Sequence, residues 1–276
     1  MTSTKIIHEK KNSDMKKLLG ILLSISLLLA GCSISDKNKD LSQEHLVLST
    51  IWFQKSPEAK ALFYQAFNIA KERVVEFNKE EGEKPKAVVV DLDETMIDNS
   101  PFQGKMVEEG KPYNPEFWAE WTKLSQAKAT PGAKDFTLFC DSIGVEVIYL
   151  SNRLTTELEW TMRNLDSLGF AFVTPNNFLL VDETSAKEPR REKVAEQYDI
   201  ILLLGDNLND FAEVFQHRGD DWGVSVVEKY KNEFGRRFII FPNPMYGDWE
   251  KSIYNNERGL NENEKFKLRR KAVTAF

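Results

Sequence analysis

The chain has 276 residues, 41% hydrophobic and 29% charged, with only 14 Gly and 10 Pro, which suits one large globular domain or a domain with a small cap and excludes a collagenous or low-complexity chain. Of its 37 basic and 43 acidic residues, five and two fall in residues 1–31, leaving 32 basic and 41 acidic beyond them; that net of −9 disfavours a nucleic-acid binder, which needs a basic surface. Two Cys (Cys32, Cys140) and three His (His8, His45, His217) support neither an internal disulfide nor a multi-histidine metal site.

At the N-terminus, Met15-Lys16-Lys17 precede an apolar run from Leu18 to Ala30. As a helix the run spans about 20 Å, short of the ~30 Å core of a bilayer, so it reads as a signal-peptide core. It ends Leu29-Ala30-Gly31-Cys32, which resembles the bacterial lipobox, whose Cys becomes the lipid-modified first residue after cleavage. Residues 1–31 are therefore expected to be a lipoprotein signal peptide and Cys32 the lipidation site. The protein would then be lipid-anchored at the bacterial cell membrane or cell surface, on its extracytoplasmic side. The alternative is an ordinary secretory signal with a chance Cys. Residues 32–47 read as a polar tether.

Residues 48–84 are expected to be a helical segment. Its main helix is predicted over 56–80, with Ser56 as cap, Pro57 at the first helical position, and Leu62, Phe63, Ala66, Phe67, Ala70, Val74 and Phe77 on one stripe that reads as core packing. Lys86–Val90 is β-branched without alternation, as in a strand buried on both faces of a parallel sheet, and ends at Asp91. Similar strands are predicted over 145–150, ending at Ser151; over 199–204, ending at Gly205-Asp206; and over 238–241. Helices are predicted over 132–142, 155–168, 188–198 and 208–216. Strand–helix alternation from 85 to 250 argues for a doubly wound α/β parallel sheet, whose ligands bind beyond the carboxyl ends of the strands. An insert at about 97–130, with Phe117-Trp118-Ala119-Glu120-Trp121, reads either as a cap over those ends or as a peripheral helix with buried Trp. Residues 251–276 are expected to be helical, and helices at both ends of the chain could pack on each other or on a second copy, making a homo-oligomer.

Asp91-Leu92-Asp93-Glu94-Thr95 places two carboxylates two residues apart at a strand end, where their repulsion calls for a cation, a proton or solvent. Gly205-Asp206-Asn207-Leu208-Asn209-Asp210 follows another buried strand, with Asp206 and Asp210 a helical turn apart. Four carboxylates from two strand ends suit a hard divalent cation, Mg²⁺ rather than zinc.

These two motifs, with Ser151-Asn152-Arg153 between them and a Lys ahead of the second, resemble the four motifs of the haloacid dehalogenase (HAD) superfamily. The lipobox, the Trp-rich insert and Phe241-Pro242-Asn243-Pro244-Met245-Tyr246-Gly247-Asp248-Trp249 narrow the resemblance to the bacterial class C acid phosphatases, the lipoprotein e(P4) family. The resemblance implies a Rossmann-like core with a smaller helical cap, and a Mg²⁺-dependent phosphatase that hydrolyses phosphate monoesters, nucleoside 5′-monophosphates among them, through an aspartyl phosphate. It implies Asp91 as nucleophile and Asp93 as general acid and base. Mg²⁺ would be held by the carboxylates of Asp91 and Asp206 and the carbonyl of Asp93, with Asp210 close to that shell. Ser151, Asn152 and Lys187 would bind phosphate, with Lys193 as the alternative lysine and Arg190 and Arg191 at the surface or behind the site. Trp118 or Trp121, and Tyr246, would stack on the substrate's base.

Other phosphatase chemistries fail on spacing. The sixth residue after Cys140 is Glu146 rather than Arg, and His217 sits in Gln-His-Arg-Gly rather than Arg-His-Gly. No Walker loop and no Gly-x-Ser-x-Gly occur. Two alternatives remain: a phosphotransferase using the same motifs, and a membrane-anchored lipoprotein that binds a nucleotide or haem without turnover.

Overall fold

The computed structural model describes residues 43–182 and 184–276. The expected signal peptide, Cys32 and the tether up to residue 42 lie outside those residues. The last residues assigned to the tether are not loose: Glu44–Leu46 form a 3-10 turn, and Leu46 is buried against Phe102 and Met106.

That turn leads into α1 (Val47–Lys55) and, after Ser56, α2 (Pro57–Phe77). The Ser56 hydroxyl accepts the Ala59 N–H at 3.1 Å, which caps α2, and Pro57 follows at the position where a missing N–H costs nothing. The buried stripe of α2 lies on the sheet, but Leu62, expected in it, sits at its margin and is 40% exposed. Phe67 packs on Phe136 of α5 (Ala133–Ser142) and on Phe241, with ring centroids 5.5 and 4.7 Å apart.

The sheet has five strands, all parallel, in the order β5 (Phe178–Val181), β4 (Glu146–Leu154), β1 (Lys86–Val90), β6 (Asp199–Gly205), β7 (Phe238–Ile240). Successive residues of β1 serve opposite faces, as strand geometry demands. Val88 and Val90 join the large core beneath α2 and α5, while Ala87 and Val89 join Ile148, Leu150 and Val194 of α7 (Glu188–Gln197). From β1 the chain runs outward through β4 and β5, then returns to lay β6 and β7 on the other side of β1. The reversal puts a switch point between β1 and β6, where doubly wound sheets bind ligands. Helix α6 (Leu158–Leu168) links β4 to β5.

The insert after β1 folds as α3 (Ser100–Glu109) and α4 (Pro115–Leu124), closed at its root by an antiparallel pair, β2 (Ile97–Asp98) with β3 (Lys128–Ala129). Helix α1 packs on α3. Trp118 and Trp121 lie partly buried against Leu46, Phe102 and Met106. The chain continues with α8 (Val224–Lys229), α9 (Asp248–Ile253) and α10 (Glu262–Ala272). Among the described residues no helix is long and apolar enough to cross a membrane.

Three local expectations change. The helix predicted over 208–216 is two 3-10 turns, Leu208–Asp210 and Glu213–Gln216, because the Asp210 carboxylate turns back to accept the Asn207 N–H at 2.9 Å and Ala212 is extended between them. Strand β5 has no counterpart among the predicted strands. Strand β4 runs past Leu150 to Leu154, so Ser151 lies inside a strand rather than at its end.

Candidate active site

The Asp91 N–H donates to the Leu204 carbonyl at 2.9 Å, extending the pairing of β1 with β6 by one residue and fixing the Asp91 side chain above the switch point. That carboxylate is buried. Lys187, the residue before α7, places its Nζ 2.5 Å from Asp91 Oδ1 and 2.6 Å from Asp210 Oδ1. Asp206, at the end of β6, accepts Asn243 Nδ2 at 2.8 Å. Gly205 makes room for this cluster: a Cβ there would meet Asp210 Oδ2 at 2.2 Å. Oxygens of Asp91, Asp206 and Asp210 lie within 4.8 Å of one another.

Three carboxylates facing one ammonium leave an excess of negative charge. Burial pushes the Asp91 carboxyl up to about 7, the charges of Asp210 and Asp93 add to the rise, and Lys187 opposes it. Asp206 is raised well above the ordinary range by desolvation and by the charges of Asp91 and Asp210. Burial alone would lower Lys187, but the carboxylates of Asp210 and Asp91 outweigh it and hold the ammonium above its usual value. A site made only of oxygens, with acids that resist ionisation in the absence of a counter-charge, fits a hard divalent cation such as Mg²⁺. Asp210 lies in this cluster with both oxygens engaged, Oδ1 by Lys187 and Oδ2 by the Asn207 N–H.

Asp93 belongs to a different set of contacts. Arg153 Nε and Nη2 donate to its Oδ1 at 3.0 and 2.8 Å, Asn99 Nδ2 donates to the same oxygen at 2.8 Å, and the Ser151 hydroxyl reaches Oδ2 at 3.3 Å. The alternation of β4 explains this grouping. Ser151 and Arg153 are buried on one face, toward Asp93, while Asn152 is exposed on the other. The Asn152 amide oxygen accepts Arg190 Nη2 at 2.7 Å, so its side chain is turned away from the carboxylates. Of the two lysines weighed from the sequence, Lys187 reaches the carboxylates; Lys193 is exposed on the outer side of α7.

The aromatic residues divide in the same way. Trp121 donates its indole N–H to Asn99 Oδ1 at 2.8 Å and packs into the cap. Trp118 carries the Arg153 guanidinium over its ring, 5.5 Å from the centroid, and meets Phe102 edge-on at 5.2 Å. Tyr246, half-buried, hydrogen-bonds through its hydroxyl to Glu94, directly after Asp93.

Several residues that hold this arrangement carry no contact with substrate or metal in the sequence reading, which leaves Arg190 and Arg191 at the surface or behind the site. Arg153 is the main partner of Asp93. Asn99 and Asn243 buttress Asp93 and Asp206. Arg190 and Arg191 are buried in the first turn of α7. Arg190 clamps the Ser151 and Leu179 carbonyls at 2.6 and 3.1 Å, and Arg191 clamps the Asp210 carbonyl at 2.9 Å. The available signal was polar residues beside apolar strand ends, but Arg153 is sixty residues from Asp93 and only the fold makes them neighbours.

Comparison with known proteins places this geometry in context. Residues 34–249 match the family described as HAD superfamily, subfamily IIIB (acid phosphatase). Two solved structures of the class C acid phosphatase from Bacillus anthracis, one with tungstate bound, are 39% identical at a TM-score of 0.82. The first covers 85% of this chain and 99% of its own. More distant relatives are the stem glycoproteins of Glycine max, of 31 and 28 kDa, each 26% identical. The matched regions cover 68% and 57% of this chain, and 67% and 58% of those proteins.

Proposed function

The chain belongs to the class C acid phosphatases of HAD subfamily IIIB, phosphomonoesterases, and we propose that it is Mg²⁺-dependent, works through an aspartyl phosphate and accepts nucleoside 5′-monophosphates. The observation that carries this reading is the buried Asp91 carboxylate, held by Lys187 beside Asp206 and Asp210. Tungstate, bound in one of the Bacillus anthracis structures, is an oxyanion with phosphate's tetrahedral shape, which supports oxyanion recognition here too.

In the proposed reaction an Asp91 oxygen attacks phosphorus, the ester P–O bond breaks, and Asp93 gives its proton to the leaving oxygen. Water then attacks the phosphorus of the aspartyl phosphate and loses a proton to Asp93. Phosphate leaves and the Asp91 carboxylate is restored. Lys187 balances charge on Asp91 and the phosphoryl oxygens, and Ser151 donates its hydroxyl to one of them. Bound Mg²⁺, on Asp91, Asp206 and the Asp93 carbonyl with Asp210 beside them, would supply the positive charge that lets a phosphate dianion approach these acids. The half-buried Tyr246 and Trp118 would contact the leaving group, and stacking on a base tolerates many bases.

The test is hydrolysis of a nucleoside 5′-monophosphate before and after EDTA treatment, with Mg²⁺ added back, together with trapping of a hydroxylamine-sensitive phosphoryl label on Asp91. Activity should vanish with EDTA and return with Mg²⁺; a label on any other residue overturns the nucleophile assignment. We also propose that Cys32 anchors the protein by lipid, supported by Leu29-Ala30-Gly31-Cys32 after an apolar run. Lipid labelling should be lost in Cys32→Ala, and a variant that still takes up lipid refutes it.

A further inference from the structure

Glu94 has no task in the reaction above, yet the fold goes to some cost to hold it. Its side chain is wholly buried, and its backbone sits at φ +60°, a region that non-glycine residues occupy at a cost. Burying a carboxylate is expensive unless donors meet it, and burial raises this one well above the ordinary range, with the charges of Asp93 and Asp206 adding to the rise.

Two donors do meet it. One carboxylate oxygen accepts the Asn99 N–H at 2.8 Å, and the other accepts the Tyr246 hydroxyl. Asn99 stands at the root of the cap, where its side chain also holds Asp93 and Trp121, each at 2.8 Å. Tyr246 is held from its backbone as well: its N–H donates to Asn243 Oδ1 at 3.4 Å, and Asn243 Nδ2 donates to Asp206 at 2.8 Å. The ring is thus tied at one end to the Asp206 loop and at the other, through Glu94, to the cap and the Asp91–Asp93 strand end.

We infer that Glu94 is a positioning residue: it fixes the Tyr246 ring against the substrate's leaving group and thereby favours phosphate esters whose leaving group carries a planar ring. The inference rests on the reading of Tyr246 as a leaving-group contact. Glu94 itself touches neither the phosphoryl group nor the attacking oxygen in this scheme, so its effect is on substrate preference.

Steady-state kinetics on two esters test it: adenosine 5′-monophosphate, whose leaving group carries a base, and glycerol 2-phosphate, whose leaving group has no ring. The quantity read is the ratio of their kcat/KM values. Tyr246→Phe keeps the ring and loses the bond to Glu94, and should lower the ratio about 3- to 10-fold, the worth of one hydrogen bond. Glu94→Ala should lower it similarly, and the double variant should fall no further, because both changes cut the same link. Glu94→Gln, whose oxygen can accept from Asn99 and whose amide can donate to the Tyr246 hydroxyl, should recover most of the ratio. An unchanged ratio in Tyr246→Phe overturns the inference, as do losses that multiply in the double variant. If Glu94→Ala does not fold, the Tyr246→Phe ratio decides, since the hydroxyl it removes is the one bonded to Glu94. Failure of the wild-type protein to hydrolyse either ester would instead remove the functional reading itself.

Discussion

On the sheet side of the site, Asp91 shares its buried surroundings with Asp206, Asp210 and the ammonium of Lys187. On the cap side, two residues along the chain, Asp93 faces the fork of Arg153 and the amide of Asn99, with its side chain 18% exposed. The first set carries more negative charge than its own cation balances. The second is a one-to-one ion pair completed by neutral donors. In the proposed reaction the two acids have different needs: Asp91 would require an added cation to ionise beside a phosphate, whereas Asp93 is oriented by protein groups alone. A carboxylate that attacks must be charged and desolvated; one that passes a proton must be aimed and remain reachable.

The most severe way to break the sheet side is Asp91→Asn. The amide keeps the shape and removes the anionic nucleophile of the proposed reaction, so kcat should fall below about 1% of wild type, single catalytic groups contributing at least ~10²-fold. Residual turnover above that level, with deamidation excluded by mass spectrometry, would assign the nucleophile elsewhere.

The cap side should break more gently and with a different signature. Arg153→Ala removes both Nε and Nη2 from Asp93 but leaves Asn99 and Ser151 in place. A proton donor left misaimed should lose about 10- to 100-fold in kcat on an alkyl phosphate. The loss should be several-fold smaller on 4-nitrophenyl phosphate, whose leaving group departs without a proton. Arg153→Lys keeps the charge without the fork and should fall between the two. Equal losses on both esters would mean that Arg153 serves something other than the proton donor.

This division also shows what could be seen in the sequence. Asp91, Asp93, Asp206 and Asp210 stand out because motif and strand end coincide, and apolar runs such as Lys86–Val90 and Asp199–Leu204 announce buried parallel strands. Strand β5 escaped because Phe178–Val181 is four residues long, with neither alternation nor a β-branched run to separate it from a loop. The 208–216 segment misled because helical spacing of Asp206 and Asp210 suggested a helix, whereas the Asp210 side chain closes a tight turn on Asn207. Asn152 stands with Ser151 in the motif that carries the resemblance, but strand alternation faces the two side chains to opposite sides. Arg153 acts on Asp93 from sixty residues away and Glu94 on Tyr246 from farther still, while Asn99 meets Asp93 and Glu94 only because the chain turns back on itself within six residues, and none of these leaves a regular pattern.

The finest test of the comparison is thermal stability of the metal-free protein against pH. Asp91 titrates at about 7 in the fold against 3.8 for an ordinary Asp, and Asp206 is also raised. The folded state therefore keeps protons that the unfolded chain has released. Between about pH 4 and pH 7 the unfolded state binds fewer protons, so stability falls as pH rises, by at most about 1.4 kcal/mol per pH unit per group. Below that window the acids are neutral in both states and the penalty vanishes. A divalent cation takes the place of those protons, so its stabilisation should grow with pH. Melting curves in EDTA and in saturating Mg²⁺, from pH 5 to pH 7.5, should diverge by several degrees, since 1 kcal/mol is worth about 2–4 °C in a chain of this size. Groups elsewhere titrate equally in both series and cancel in the difference. Asp91→Asn removes one of the crowded acids, so its EDTA series should decline less steeply than that of the wild type. Arg153→Lys should leave the divergence between the two series in place. A gap that stays constant or narrows with rising pH would mean that the carboxylate excess on the sheet side is not what binds the cation.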